Sequence, residues 1–217
     1  MFFMKTILIS AKRISHLDRN ILISNLKKLK LPKNIAIYYS IQFQDEALEI
    51  KNILNKKHKI RQFSQVLGCS KINLREENAV ILIGSGKFHA INIAFQLESK
   101  IPVYILEGNS FYKINNNEID LFKRKKQASY IKYLHSKSIG IIVSLKPGQE
   151  NFKKAIEIKN KLEKNNKIPY LFLTSDINFK DLDNFPHIGS WINTACPRLD
   201  MDADARVVNI GEVLMEI

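Results

Sequence analysis

The 217 residues are 45% hydrophobic, enough for a packed core in one large domain or two small ones. No uninterrupted apolar run is long enough to suggest a transmembrane helix, and the apolar start lacks a basic leader and a small-residue cleavage site. The expectation is a cytoplasmic protein that does not enter a membrane. The net charge of +13 would suit a nucleic acid or an acidic protein. However, the lysines are spread along the whole chain, and no stretch interleaves basic and aromatic residues as a stacking platform would. The charge is therefore read as compositional, with no direct nucleic-acid partner.

In chain order, Thr6 to Ala11 reads as a strand. Leu17 to Leu31 carries apolar residues at helical spacing and is stopped by Pro32. Ile35 to Ile41 is a β-branched and aromatic run suited to a buried parallel strand. Ala47 to Leu54 reads as a short amphipathic helix. Ala79 to Ile83 reads as a buried strand running into Gly84-Ser85-Gly86, with a helix from there to Leu97. Pro102 to Leu106 reads as a further strand. The Asn-rich stretch Asn109 to Asn117 is the best candidate linker.

The alternation then resumes. Glu118 to Ser136 reads as a long helix with apolar positions at Ile119, Phe122, Ile131 and Leu134. Ile139 to Ser144 is a buried strand, Pro147-Gly148 a turn, and Phe152 to Leu162 a helix. Pro169 to Leu173 and Ser190 to Thr194 are strands. Alternating strands and helices predict an α/β protein: two Rossmann-like domains, 1–110 and 111–217, with parallel sheets flanked by helices.

In such sheets functional groups collect at the carboxyl ends of the strands. Gly84-Ser85-Gly86-Lys87-Phe88-His89 is a tight turn or an anion-binding helix entry, and it lacks the third glycine of a dinucleotide fingerprint. His89 there is a capping or packing side chain, a ligand, or an acid–base group. Ser144, Lys146 and Gln149 surround a strand-to-helix turn that could hold a small polar ligand or be an ordinary helix entry. In Asn193-Thr194-Ala195-Cys196-Pro197-Arg198, Pro197 fixes the backbone after the cysteine. Arg198 offers a planar fork for a carboxylate, and a cation there favours thiolate. Gln65-Val66-Leu67-Gly68-Cys69 places the other cysteine beside a glycine in a loop. On spacing alone, two cysteines in a reducing compartment read first as small buried hydrophobes. No Ser-His-Asp set, zinc spacing, paired carboxylates or C-x-x-x-C-x-x-C motif is present, and no catalytic residue is assigned.

Together, these stretches resemble the archaeal 2-(3-amino-3-carboxypropyl)histidine synthase family of diphthamide biosynthesis. Tyr39-Ser40-Ile41-Gln42 and Lys146-Pro147-Gly148-Gln149 complete the match, as do Asp202, Asn209 and Glu212 near the end. The resemblance implies three similar α/β domains, each giving one cysteine to a 4Fe-4S cluster. The open iron takes S-adenosylmethionine, and the 3-amino-3-carboxypropyl group passes to a histidine of translation elongation factor 2. It implies that Cys69 and Cys196 are cluster ligands. It makes Gly148, Gln149 and Arg198 candidates for S-adenosylmethionine contacts, beside Ser144 at the strand end. Only the second and third domains are matched, so the resemblance also implies a first-domain partner, or a homodimer, to complete the ligand set. Glu107-Gly108 stands where the family has Asp-Pro. The alternatives are a non-catalytic accessory subunit of such a synthase and a generic nucleotide-binding α/β protein.

Overall fold

The computed structural model describes residues 9, 11, 18–199 and 205–214. The expected strand at Thr6 to Ala11 and the matched Asp202 lie outside them, apart from Ile9 and Ala11. The chain divides into two compact units, 1–120 and 121–217. Among the described residues, no helix is long and apolar enough to cross a membrane.

In the first unit, helix α1 (Arg19–Lys28) starts at Asp18, whose carboxylate accepts the N–H groups of Asn20 and Ile21 at 2.9 and 3.1 Å. It is followed by β1 (Asn34–Tyr39), a 3-10 turn (Ile41–Phe43), α2 (Gln44–Leu54), β2 (Lys59–Gln65) and β3 (Ala79–Ile83). Then come α3 (Phe88–Gln96), β4 (Val103–Glu107) and β5 (Ser110–Lys113). The sheet order is β2-β1-β3-β4-β5, parallel except for β5, which runs antiparallel to β4. Every residue of the central strand β3 is buried, as its apolar composition requires. One core joins Leu22 and Leu26 of α1, Ala47, Ile50 and Leu54 of α2, and the inward side chains of β1 and β3.

Two expectations change here. The Asn109 to Asn117 stretch is not a linker: it contains β5, whose Phe111 pairs with Leu106 and packs on the core. An additional strand, β2, closes the opposite edge.

Helix α4 (Asn116–His135) opens with a reciprocal cap. The Asn115 side-chain oxygen accepts the Glu118 N–H at 2.9 Å, and Glu118 accepts the Asn115 N–H at 3.1 Å. Glu118 also pairs with Lys87 at the entry of α3. That hydrogen bond from Lys87 holds the Glu118 carboxyl below its ordinary value of 4.5. The native state thus binds this proton less tightly than the unfolded chain. The contribution to stability is present above pH 4.5 and fades as pH falls through the lower native value. Glu118→Gln is therefore expected to be less stable than wild type at pH 7 and to converge on it in acid. Urea unfolding across pH checks this; a gap that stayed constant down to low pH would remove the charge from the explanation.

Along α4, Ile119, Phe122 and Tyr133 are buried, whereas Ile131 and Leu134 are 55% and 46% exposed. The inward face instead takes up Ser129, whose hydroxyl donates back to the Lys125 carbonyl at 3.0 Å. Two of the four expected apolar positions are thus solvent-facing.

The second unit continues with β6 (Ser138–Ser144), α5 (Phe152–Lys164) and β7 (Ile168–Thr174). A 3-10 segment (Phe179–Asn184), β8 (Ser190–Asn193), β9 (Val207–Asn209) and the short helix α6 (Ile210–Val213) complete it. The sheet order is β7-β6-β8-β9, all parallel. Ile139, Ile141 and Val143 of β6 face the α5 side with Ala155, Ile158 and Leu162. The next residue out of phase, Ile142, joins Trp191, Leu182 and Ile188 on the other face.

Candidate functional site

The site elements of the first unit lie at the carboxyl ends of its strands. β1 ends at Tyr39, and the Ser40 N–H reaches the Ile83 carbonyl at the end of β3 at 3.1 Å. A side chain on Gly84 would come within 3.2 Å of the Ser40 hydroxyl, so these two strand ends are in close contact. Cys69 follows the end of β2 in a loop fastened to α3. Asn92 donates to the Gly68 carbonyl at 3.0 Å, and Gln96 donates to the Ser70 carbonyl at 3.1 Å while accepting the Ile72 N–H at 3.1 Å. Ser70 turns the loop by accepting the Leu67 N–H at 2.8 Å. Gly68 is needed there, since a Cβ would lie 2.9 Å from the Phe88 ring. His89 is next to it and packs its ring on Phe88 at 5.1 Å. The Cys69 thiol is exposed.

The glycine turn proves to be closed by a side chain. The Gly86 N–H, one of the groups that could meet an anion, donates to Glu107 at 3.2 Å. Glu107 belongs to the neighbouring strand β4. The geometry is that of a tight turn with a carboxylate already in place.

In the second unit, five of the residues picked out from the sequence line one pocket of about 360 Å³: Ser144, Lys146, Gln149, Cys196 and Arg198. Ser175 and Asp176 complete its polar wall. Ser144 is buried at the end of β6, and its hydroxyl accepts the Lys146 N–H at 3.1 Å. Gly148 lies within the same turn with φ +78°, a left-handed conformation natural to glycine. Lys146 donates to Asp176 at 2.8 Å and holds that carboxyl below the ordinary carboxylate range. Arg198 is exposed beside Cys196.

The Cys196 loop is held by asparagines. Asn193, 1% exposed, donates to the Cys196 carbonyl at 3.0 Å and to the Asn209 side-chain oxygen at 2.8 Å. It accepts the Ala195 N–H at 2.9 Å. Asn151 at the entry of α5 donates to the Thr194 carbonyl at 2.7 Å, and the Thr194 hydroxyl bonds the Ile142 carbonyl at 2.8 Å. Cys196 is half-buried. Asp176, Asn92 and Gln96 had not been singled out from the sequence. The strand-end rule applied to β7 could have pointed to Asp176; nothing in the sequence pointed to the other two.

Among the described residues, no group of three His, Cys, Asp or Glu side chains could hold a metal ion. The two cysteines belong to different units, one exposed and one half-buried, each in a loop after a strand. Each thiol is a soft ligand of the kind iron–sulfur centres use.

The profile of the diphthamide synthesis protein family matches residues 4–215. The chain is 29% identical over 185 residues to the 2-(3-amino-3-carboxypropyl)histidine synthase of Pyrococcus horikoshii, covering 80% of this chain and 53% of that protein. The same-named protein of Methanocaldococcus jannaschii is 32% identical over 145 residues, 64% of this chain and 41% of the other. Among solved structures, Dph2 from Pyrococcus horikoshii with a 4Fe-4S cluster matches with a TM-score of 0.76 at 27% identity. That match covers 90% of this chain and 60% of the other, and it agrees with the α/β architecture expected from the sequence. The chain spans about half the length of the curated relatives it matches. It belongs to the diphthamide synthesis protein family.

Proposed function

We propose that this chain forms two-thirds of the ligand set of a 4Fe-4S enzyme, with Cys69 and Cys196 as thiolate ligands. The activity would be transfer of a 3-amino-3-carboxypropyl group from S-adenosylmethionine to a histidine of translation elongation factor 2. The observation that carries this reading is the pocket in which Cys196, Arg198, Gln149 and Ser144 come together, in a chain whose fold matches a Dph2 that holds such a cluster.

When bound, the cluster supplies the electron that breaks a carbon–sulfur bond of the sulfonium. The chain's own residues bind and orient. Arg198 would clamp the methionyl carboxylate with its two parallel N–H groups. Gln149 and the Gly148 turn would receive the polar end of the substrate, with Ser144 at the pocket wall. The chain has only two cysteines, so the third thiolate must come from polypeptide outside these residues, either a first-domain partner or a second copy.

The test is anaerobic reconstitution with iron and sulfide, together with a separately produced first domain from a family member. The assembly is expected to take up a four-iron cluster and, once the cluster is reduced with dithionite, to release methylthioadenosine from S-adenosylmethionine. Iron at background with every first domain tried would overturn the ligand assignment. Iron uptake without methylthioadenosine release would favour an accessory subunit.

A further inference from the structure

Lysines that are scattered in the sequence gather at one end of the first unit. The last turns of α1 and α2 meet there with the starts of β1 and β2. Asn34 pairs with Lys59, and the Lys59 N–H reaches the Lys33 carbonyl at 2.7 Å. This is the amino end of the sheet, opposite the strand ends that carry Cys69.

Between the two helix ends lies a groove of about 460 Å³. Its floor is apolar: Leu29, Leu31 and Ile53 are partly buried against the core beneath Leu26 and Leu54. Its rim is basic, with Lys27, Lys30, Lys56 and Lys57, all exposed. Among the described residues no carboxylate lines it, and none of the four lysines has an ion pair. Favourable interaction with a helix dipole explains a lysine in the last turn of α1, which Lys27 occupies. It does not explain Lys30, Lys56 and Lys57, which lie beyond the helix ends.

The chemistry selects the occupant. Among the described residues no Phe, Tyr or Trp lines the groove, and the His58 ring is half-buried with its Nδ1 bonded to the Pro32 carbonyl at 2.9 Å, so successive bases would find no stacking platform. The apolar floor is recessed between helices, which a flat lipid surface cannot fill. The chain's own first 17 residues carry Lys5, Lys12 and Arg13 and no Asp or Glu, so their charge does not match the rim. We propose that this groove docks an acidic amphipathic helix of a partner protein. Its apolar side chains would enter the floor and its carboxylates would meet the lysines.

The test uses the full chain and a fluorescein-labelled helical peptide with leucines at i, i+3, i+4 and i+7 and glutamates on the flanks, followed by anisotropy. Combined K27E, K30E, K56E and K57E substitutions are expected to weaken binding at least about tenfold, as is replacing the peptide leucines by serine. K123E with K153E and K154E, at exposed lysines elsewhere, should leave binding unchanged. Equal binding of the serine peptide would reduce the effect to bulk charge and overturn the proposal. Undiminished binding by the four-lysine variant would do the same. So would tighter binding of poly(U) RNA or phosphatidylglycerol vesicles through those lysines. If the four-lysine variant fails to fold by circular dichroism, the serine peptide decides alone. Iron plays no part in this measurement, so its outcome is independent of the cluster assignment.

Discussion

Cys196→Ala is expected to take up no cluster when reconstituted with a first domain, while melting within about a degree or two of wild type. Both halves follow from how the loop is held. Its anchors are backbone groups: the Cys196 carbonyl accepts from Asn193 and from the Leu199 N–H at 3.1 Å. The half-buried thiol itself has no hydrogen bond among the described residues, so alanine keeps the fixings. Substitutions of that kind usually change stability by less than about 0.5 kcal/mol. A thiolate ligand to iron, in contrast, has no substitute in a methyl group. Iron assay and thermal melting on the same sample check the two halves. Unchanged iron would take Cys196 out of the site, and a large loss of melting temperature would show that the thiol is structural.

Asn193→Ala is expected to act the other way, costing about 3 kcal/mol of folding stability through lost and orphaned hydrogen bonds. For a unit of this size that lowers the melting temperature by roughly 10 °C or more. Asn193 is buried and serves three partners at once: the Ala195 N–H, the Cys196 carbonyl and the Asn209 oxygen. Alanine removes all three contacts and leaves the Ala195 N–H in a buried position without its acceptor. The Cys196 backbone also loses its tether, so its thiol should react faster with a disulfide reagent in a Cys69→Ser background. A melting curve and a thiol rate both equal to wild type would show that Pro197 and the remaining asparagines hold the loop unaided.

What could be read from the sequence follows burial. β3 and β6 are central strands, buried on both faces, and their short Ile- and Val-rich apolar runs are unmistakable. β2 was missed because an edge strand need not be apolar: Lys59, Arg61 and Gln65 face water, while Ile60 and Phe63 alone reach the core. β5 was hidden in an Asn-rich setting for the same reason. On α4 the pattern misled, because Ile131 and Leu134 are exposed while a self-bonded serine takes an inward position. At the site, the cysteines, Pro197 and Arg198 carry their chemistry in their identity and their place at strand ends. The side chains that fasten the loops, Asn92, Gln96 and Asn151, act on residues 24 to 43 positions away, and no local pattern marks such pairs.

The Glu107–Gly86 contact bears on what the glycine turn can accept. Many α/β proteins hold nucleotides by letting the amides of a glycine turn cup a phosphate. Here a polyphosphate approaching that turn would find one amide already taken and a negative charge in its path. A single side chain on the neighbouring strand thus sets this turn against polyphosphate binding.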